Sequence, residues 1–396
     1  MKILRVSFTI KIHERTFHGF TREIHGSEAM ISIDKRFQAD KIKANDFIAL
    51  TCSGRKNQEK HRNPMKRMVT LVEVAQEAGV SPSTVSRILS GTANVSQRKR
   101  HAVEEAIRKL NYQPNIIAKG LVRGLTMSIG VLTQDISSPF YNDALLGVQE
   151  ALQGTDYVPV FVDGHWDSKD EETALQRLMG RVDGLIIMGG SLAEDTLTRL
   201  AESMPIIAIG RKIPERENHS LILDNYWATR KLMDYLFELG HTRIAHIAGP
   251  KDHPDAIERL HAYKDALEAA NLDQDERLLV EGDYHESAGL IGVATLLESR
   301  VMFTAIFAAN DQMAYGARLA LYRRGIRVPE EVSLVGFDDS KTSEYFSPPL
   351  TTVRQPMHEL GRQAAEGLLA LINGEDVHLE APELQLVIRE STRRIR

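Results

Sequence analysis

The stretch TLVEVAQEAGVSPSTVSRILSGTANVSQRKRHAVEEAIRKLNY, Thr70 to Tyr112, decides how this chain is read. Leu71, Val74, Ala75 and Ala78 recur at the three- and four-residue spacing of one buried helix face. Gly79 supplies a tight turn. Ser81 is then a good N-cap, and Pro82 stands at the first helical position, where its missing N–H costs nothing and its fixed φ suits the helix. Over Pro82 to Leu89, the spacing turns Val85, Ile88 and Leu89 inward and leaves Ser83, Thr84, Ser86 and Arg87 outward. A third helix begins at the cap Ser96. It carries Ala102, Val103, Ala106, Ile107 and Leu110 inward, with Arg98, Lys99, Arg100, Arg108 and Lys109 on its outer face.

Short polar side chains at the start of a second helix are the groups that reach base edges and phosphates when such a helix enters the major groove. A small basic three-helix unit is more commonly a solvated helical domain, so the rest of the chain must decide. The whole chain carries a formal net charge of -5, yet Arg98 to Arg123 is rich in Lys and Arg. That asymmetry points to a nucleic-acid face joined to a different kind of body.

TLVEVAQEAGVSPSTVSRIL, followed by Asn115, Ala118, Leu121 and Gly124 at three-residue intervals in PNIIAKGLVRG, resembles the LacI/GalR family of bacterial transcription regulators. The resemblance runs from about Val69 to Arg389. It implies DNA contacts from Thr70, Ser81, Pro82, Ser83, Thr84, Ser86, Arg87 and Asn94. It also implies a hinge helix that folds on DNA, with Asn115 as its cap, Ala118 at its contact face and Leu121 as an apolar wedge in the minor groove. Unstacking one base step costs a few kcal/mol, and the resulting kink opens further contacts. Taken alone, Leu121 reads more readily as core packing of a linker helix.

With 396 residues and 42% apolar content, the chain can hold more than one domain. No apolar run reaches membrane-spanning length, and the N-terminus has no basic region leading into a clean hydrophobic stretch. A cytoplasmic protein with no membrane partner is expected. The single cysteine, Cys52, allows no intrachain disulfide and fits a reducing compartment. The fourteen histidines read as ordinary surface and loop residues, and neither a metal nor a cofactor is expected.

From Thr126 onward, short Val- and Ile-rich runs alternate with amphipathic stretches such as Tyr141 to Gln153 and Asn225 to Leu239. The runs are MSIGVLT, VPVFVD, DGLIIMG, PIIAIG, RIAHIAG, TAIFAAN and VSLVGFD. Runs buried on both faces with helical crossovers imply parallel sheets, and their number exceeds one ordinary sheet. The expected fold class is therefore α/β: an N-terminal all-α helix-turn-helix domain followed by a two-lobed, doubly wound core. By resemblance that core is similar to the periplasmic binding proteins. The expected divisions are an extension at 1–67, a helix-turn-helix domain at 68–113, a hinge at 114–125 and a core at 126–396. The resemblance places lobe crossings near Asn225, Arg354 and Glu383.

Ligands of such folds bind beyond the carboxyl ends of the strands, and between two lobes that means the cleft. Asp135, Phe140 and Tyr141 follow the first run, Arg211 follows PIIAIG, Asn310 and Asp311 follow TAIFA, and Asp338 and Asp339 follow VSLVG. A sugar needs planar hydrogen-bonding groups for its hydroxyls and an aromatic face for its ring, and this set supplies both. The family resemblance implies that Arg259, Asn310 and Asp338 touch the effector, that Tyr284 stacks on it, and that Phe140 and Tyr141 contribute from the first lobe. Where many relatives carry an acidic residue, this chain has Gly210 and Arg211, so a larger or differently charged ligand is expected. Asp311 has a second reading as a helix cap, and Arg259 as a surface ion pair.

A regulator of carbohydrate genes follows, acting as a homodimer on a near-palindromic double-stranded operator under a sugar-like effector. A nucleobase or phosphoprotein effector, and a sugar-binding transport protein, are the alternatives. An enzyme on the same scaffold is opposed because Asp338 and Asp339 have no nucleophile, metal set or phosphate loop beside them. The first 64 residues match nothing in this scheme. An upstream start assignment, with Met65 or Met68 as the true start, stands against a genuine basic arm adding phosphate contacts.

Overall fold

The computed structural model describes residues 69–89, 95–112, 120 and 124–395. The extension at 1–67, Asn94, and the hinge residues Asn115, Ala118 and Leu121 lie outside the described residues.

Helix α1 (Leu71–Ala78) starts on a reciprocal cap. The Thr70 hydroxyl accepts from the Glu73 backbone N–H at 3.3 Å, and the Glu73 carboxylate accepts from the Thr70 N–H at 2.7 Å. It ends on Gly79 at φ 64°, the left-handed conformation that a glycine adopts without penalty. Helix α2 (Pro82–Leu89) opens with the Ser81 hydroxyl accepting from the Thr84 N–H at 3.3 Å, and α3 spans Gln97–Leu110. Val74, Ala75, Val85, Ile88, Val103 and Ala106 close a small core with Tyr112. Leu89 departs from expectation: it is 39% exposed, because it ends its helix where neither neighbouring helix covers it. Ser96 holds the N-cap position of α3 but makes no side-chain cap bond.

The first sheet contains β1 (Ser128–Thr133), β2 (Val158–Asp163), β3 (Gly184–Met188), β4 (Ile206–Ile209) and β5 (Ser220–Leu221). Its order is β2-β1-β3-β4-β5, all parallel, with α4 (Pro139–Ala151), α5 (Ser168–Leu178) and α6 (Glu194–Ser203) as crossovers. Helix α7 (Asn225–Glu238) leads to the second sheet of β6 (Ile244–Ala248), β7 (Leu279–Glu281), β8 (Ala305–Ala308) and β9 (Ser333–Val335). Here the order is β7-β6-β8-β9, again parallel, with α8 (Pro254–Ala269), α9 (Glu286–Glu298) and α10 (Asp311–Arg323) between the strands. The doubly wound α/β class is therefore observed twice.

After the short α11 (Thr342–Tyr345) and β10 (Thr352–Arg354), the chain returns along α12 (Met357–Ile372) to pack on α4, β3 and β4 of the first lobe. It then passes back to β11 (Gln385–Val387), which pairs antiparallel with β10. One apolar cluster runs through both lobes, from Ile129, Ile186 and Ile207 to Phe307, Val335 and Phe337, joined by Met357 and Leu360 of α12.

Within each lobe two helices touch backbone to backbone. A Cβ at Gly147 of α4 would run into the His358 carbonyl, and one at Gly361 of α12 into the Ala144 carbonyl. The second lobe repeats the device: Gly289 of α9 faces the Met313 carbonyl and Gly316 of α10 the Glu286 carbonyl. Alanine is the better helix former by about 1 kcal/mol. Overpacking against backbone costs about 1 to 3 kcal/mol, so the clash outweighs the propensity. Gly361→Ala is therefore expected to lower the urea midpoint of the first lobe, and a variant as stable as the parent would refute the contact.

Candidate functional site

Between the lobes lies a cavity of about 750 Å³, part of it open to solvent. Strand ends build it. Asp135 comes from the β1–α4 connection, Phe140 and Tyr141 from the first turn of α4, Asn310 from the end of β8, and Asp338 from the end of β9, while Arg259 and Tyr284 come from α8 and the β7–α9 loop. Seven of the eight residues expected at the effector site line this one space.

Arg259 is the most constrained of them. It is 3% exposed, its Nε donates to Asn225 Oδ1 at 2.9 Å, one terminal nitrogen donates to the Ala309 carbonyl at 2.6 Å, and its guanidinium carbon lies 3.8 Å above the centre of the Phe337 ring. It is no surface ion pair. Asn225 in turn donates to Asp255 at 3.2 Å. Asp338 sits at φ 125°, clamped by its N–H to the Val353 carbonyl and by Gln355, whose side chain donates to Asp338 Oδ1 at 2.8 Å. Such backbone strain survives only where the surroundings enforce it. Burial holds the Asp338 carboxyl well above the usual carboxylate range, with Arg259 pulling the other way. Asn310 caps α10, accepting from the Met313 N–H at 2.9 Å and donating to the Tyr284 carbonyl at 2.8 Å. Phe140 meets Tyr141 edge-on at 5.1 Å, and the Tyr141 phenol is pushed up by burial and by nearby carboxylates.

Arg211 is a correction. Its guanidinium donates to the Leu192 carbonyl and faces Glu171, away from the cavity that its neighbour Gly210 lines. A strand-end residue can turn either way, and here the Leu192 carbonyl takes the guanidinium. Glu171, fully buried, accepts from the Ser191 N–H at 2.7 Å, the Ser191 hydroxyl at 3.0 Å and the Leu192 N–H at 3.2 Å. Asp311 opens α10 rather than capping it. Its carboxylate binds the Ser340 N–H at 2.9 Å and the Ser343 and Thr352 hydroxyls at 2.6 Å, so it braces the loop after β9. Asp339 is taken up by Arg354 and Arg389.

The histidines are a second correction. His246 is fully buried in β6, stacked 4.4 Å from Phe307 and 4.9 Å from Tyr263, and burial lowers its imidazole pKa to about 4. His241 is buried too, and His253 lines the cleft. Sequence reasoning also missed Trp166, Asp255, Gln312 and Gln355. Trp166 comes three residues after the end of the VPVFVD strand, so the rule that found Phe140 and Tyr141 was available for it. Gln312 accepts from the Ser138 hydroxyl at 2.8 Å, a bond that joins the two lobes across the cleft.

At the other site, Ser81, Pro82, Ser83, Ser86 and Arg87 are exposed and Thr84 half-exposed, while Val85 and Ile88 are buried. The Ser81 hydroxyl bonds those of Ser83 at 2.9 Å and Thr84 at 2.8 Å. Thr70 is committed to its capping box. Helix α2 thus shows a polar face whose N-terminal end is accessible.

Comparison with known proteins bears on both sites. Residues 70–115 match the model of the bacterial regulatory proteins of the lacI family, and residues 233–392 match a periplasmic binding protein-like domain. The transcriptional regulator AscG of Escherichia coli is 33% identical over 314 residues, covering 78% of this chain and 94% of AscG. The chain belongs to the LacI family of bacterial regulatory proteins. CelR of Thermobifida fusca is 36% identical over 338 residues, covering 82% of this chain and 99% of CelR. The solved lac repressor dimer, bound to operator and the anti-inducer ONPF, superposes with a TM-score of 0.73 at 31% identity over 83% of this chain and all of that one. The protein is accordingly a DNA-binding transcription regulator and not an enzyme. No helix among the described residues is long and apolar enough to cross a membrane.

Replacing the Glu171 carboxylate strands the buried Leu192 N–H, leaves the part-buried Ser191 N–H and hydroxyl without their acceptor, and removes a charge that favours the Arg211 cation. Glu171→Leu is therefore expected to cost about 2 kcal/mol or more in denaturant unfolding, and an unchanged midpoint would contradict this account of Arg211.

Proposed function

We propose that this LacI-family regulator represses carbohydrate-utilisation genes, and that a small neutral sugar held between its lobes sets its operator affinity. The observation that carries the reading is the convergence of Arg259, Asn310 and Asp338 with Phe140, Tyr141 and Tyr284 on one interlobe cavity. Planar hydrogen-bonding groups engage hydroxyls, and aromatic faces take the apolar side of a ring. A solved structure of CelR is a complex with cellobiose, at 34% identity and a TM-score of 0.61. The helix-turn-helix unit opposes a role in transport.

The proposed divisions are DNA reading by 68–113, a hinge at 114–125 and effector binding by 126–396, in a cytoplasmic homodimer that meets two half-sites of a near-palindrome. Helix α2 enters the major groove through Ser81, Pro82, Ser83, Thr84, Ser86 and Arg87, with Thr70 and Asn94 flanking it. Asn115, Ala118 and Leu121 form the minor-groove helix. The chain segments near Asn225, Arg354 and Glu383 flex as the lobes close. An effector that prefers one lobe angle shifts the spacing of the paired hinges, and DNA affinity changes reciprocally. Coupling of about 1 to 3 kcal/mol corresponds to roughly 5- to 150-fold in operator affinity.

The deciding experiment measures binding at fixed salt to DNA from upstream of the protein's own gene, with and without neutral sugars. A palindrome-dependent complex weakened by one sugar is expected, and specific binding that no sugar alters would overturn the effector assignment. Arg259→Ala is expected to lose the sugar response while still binding operator specifically, and a normal response would remove Arg259 from the site. Leu121→Ala is expected to weaken specific binding by about tenfold or more and nonspecific binding far less. Equal losses on both would eliminate the wedge.

A further inference from the structure

The cleft holds two groups of aromatic rings, one more buried than the other, which meet where Tyr141 lies 6.4 Å from Trp166. The inner one is Phe140 and Tyr141, the latter only 3% exposed. The outer one is a roof over the mouth. Trp166, 37% exposed, comes from the first lobe and reaches His253 at 4.6 Å and Tyr284 at 6.4 Å in the second, while His253 meets Tyr284 edge-on at 5.3 Å.

The backbone aims Trp166 at that mouth. His165 and Trp166 stand at φ 52° and 57°, in the left-handed region that such side chains rarely occupy. Asp163 accepts from the His165 N–H at 3.3 Å on one side, and Asp167 caps α5 through the Lys169 and Asp170 N–H groups on the other. Strain of this kind is characteristic of ligand clamps.

Beneath the roof are polar atoms with nothing to bind. His253 holds the N-cap position of α8 but makes no cap bond, and both its ring nitrogens and the Tyr284 hydroxyl are buried without a protein partner. Buried polar groups are almost always paired, so unpaired ones aimed at a cavity need a partner from outside. Burial lowers the His253 pKa, which favours the neutral ring. A neutral imidazole offers one donor and one acceptor, which suits sugar hydroxyls, since each can both give and take a hydrogen bond.

Charge narrows the ligand further. Asp135, Asp255, Asp283 and Asp338 line the cavity against one cation, Arg259, which is already bonded to Asn225 and Ala309. A phosphate dianion would face the carboxylates of Asp135, Asp255 and Asp283. The ring angles offer no sandwich for a flat base: that takes a parallel slot of about 7 Å, twice the van der Waals spacing, whereas these rings stand at 42° to 89° to one another. A pyranose needs only one aromatic face.

We propose that Trp166, His253 and Tyr284 form the specificity-determining roof of the cleft, which selects a neutral, unphosphorylated glycoside of two rings, the outer ring lying against Trp166. The proposal rests on the sugar-effector reading above. Because Trp166 and its partners belong to different lobes, binding the outer ring also draws the lobes together.

The chain has two tryptophans. Trp227 is 61% exposed on α7, so Trp227→Phe leaves Trp166 as the sole reporter in an intact regulator. Cellobiose, maltose, lactose and sucrose are titrated against glucose, galactose, glucose 6-phosphate and cytidine, following fluorescence and Kd. One disaccharide is expected to shift Trp166 emission and to bind about tenfold or more tighter than its monosaccharides, with no response to the phosphate or to cytidine. In Trp166→Ala that preference is expected to vanish while monosaccharide Kd stays within about threefold, and Trp166→Phe is expected to retain part of it. Equal affinities for one- and two-ring sugars, or equal losses for both in Trp166→Ala, would overturn the roof and leave the sugar reading standing. Binding of glucose 6-phosphate or cytidine alone, or of none of these compounds, would overturn both.

Discussion

A guanidinium pressed flat on a phenyl ring ties the cleft to the chain segments that join the lobes. Arg259 lies 3.8 Å over Phe337, and it also holds Asn225, the residue at which the chain has just left the first lobe. Next to Phe337, Asp338 is bonded to Gln355, where the chain is about to return. The groups that line the cavity are thus the same groups that fix two of the connections between the sheets. A ligand that displaces or recruits either bond acts directly on the geometry of those connections. No long relay of side chains is required for the cleft to bias the lobe angle.

The helix-turn-helix unit depends on different physics. Its helices are short, and isolated helices of such length are marginal in water. They persist through end effects: the reciprocal cap of Thr70 and Glu73, the left-handed Gly79 and Asn111, and the hydroxyl cluster at Ser81. A tight apolar core then sets α2 with its polar edge outward. The Ser81 hydroxyl that caps α2 also stands at its exposed end, so the start of the helix and its accessible polar edge depend on the same residue.

The long strands were legible because a short Val- and Ile-rich run between turn residues suits a strand buried on both faces far better than a surface helix. Strands β5, β7, β10 and β11 were not, since two or three residues of mixed character carry no periodicity. Most of the cleft could be read from strand ends, yet position alone does not reveal which way a side chain turns. Arg211 illustrates this: only the fold shows that the Glu171 carboxylate and the Leu192 carbonyl lie on its other side. His253 and Trp166 were lost for the opposite reason. Each is unremarkable in its own segment, and each matters through a residue far along the chain in the other lobe, as in the Trp166–His253 ring contact. His246 shows that an imidazole inside an apolar run belongs to the core when a carbonyl, here that of Phe307, takes its N–H.

The glycine pairs at Gly147 and Gly361, and at Gly289 and Gly316, bring helix backbones into direct contact where side chains would ordinarily cushion them. Cushioned helices slide by repacking rotamers, but backbones in contact have no such slack. Each lobe is thereby made a stiff lever, with little internal compliance to absorb a push at the cleft. A displacement at the cleft is then carried through each lobe rather than absorbed within it.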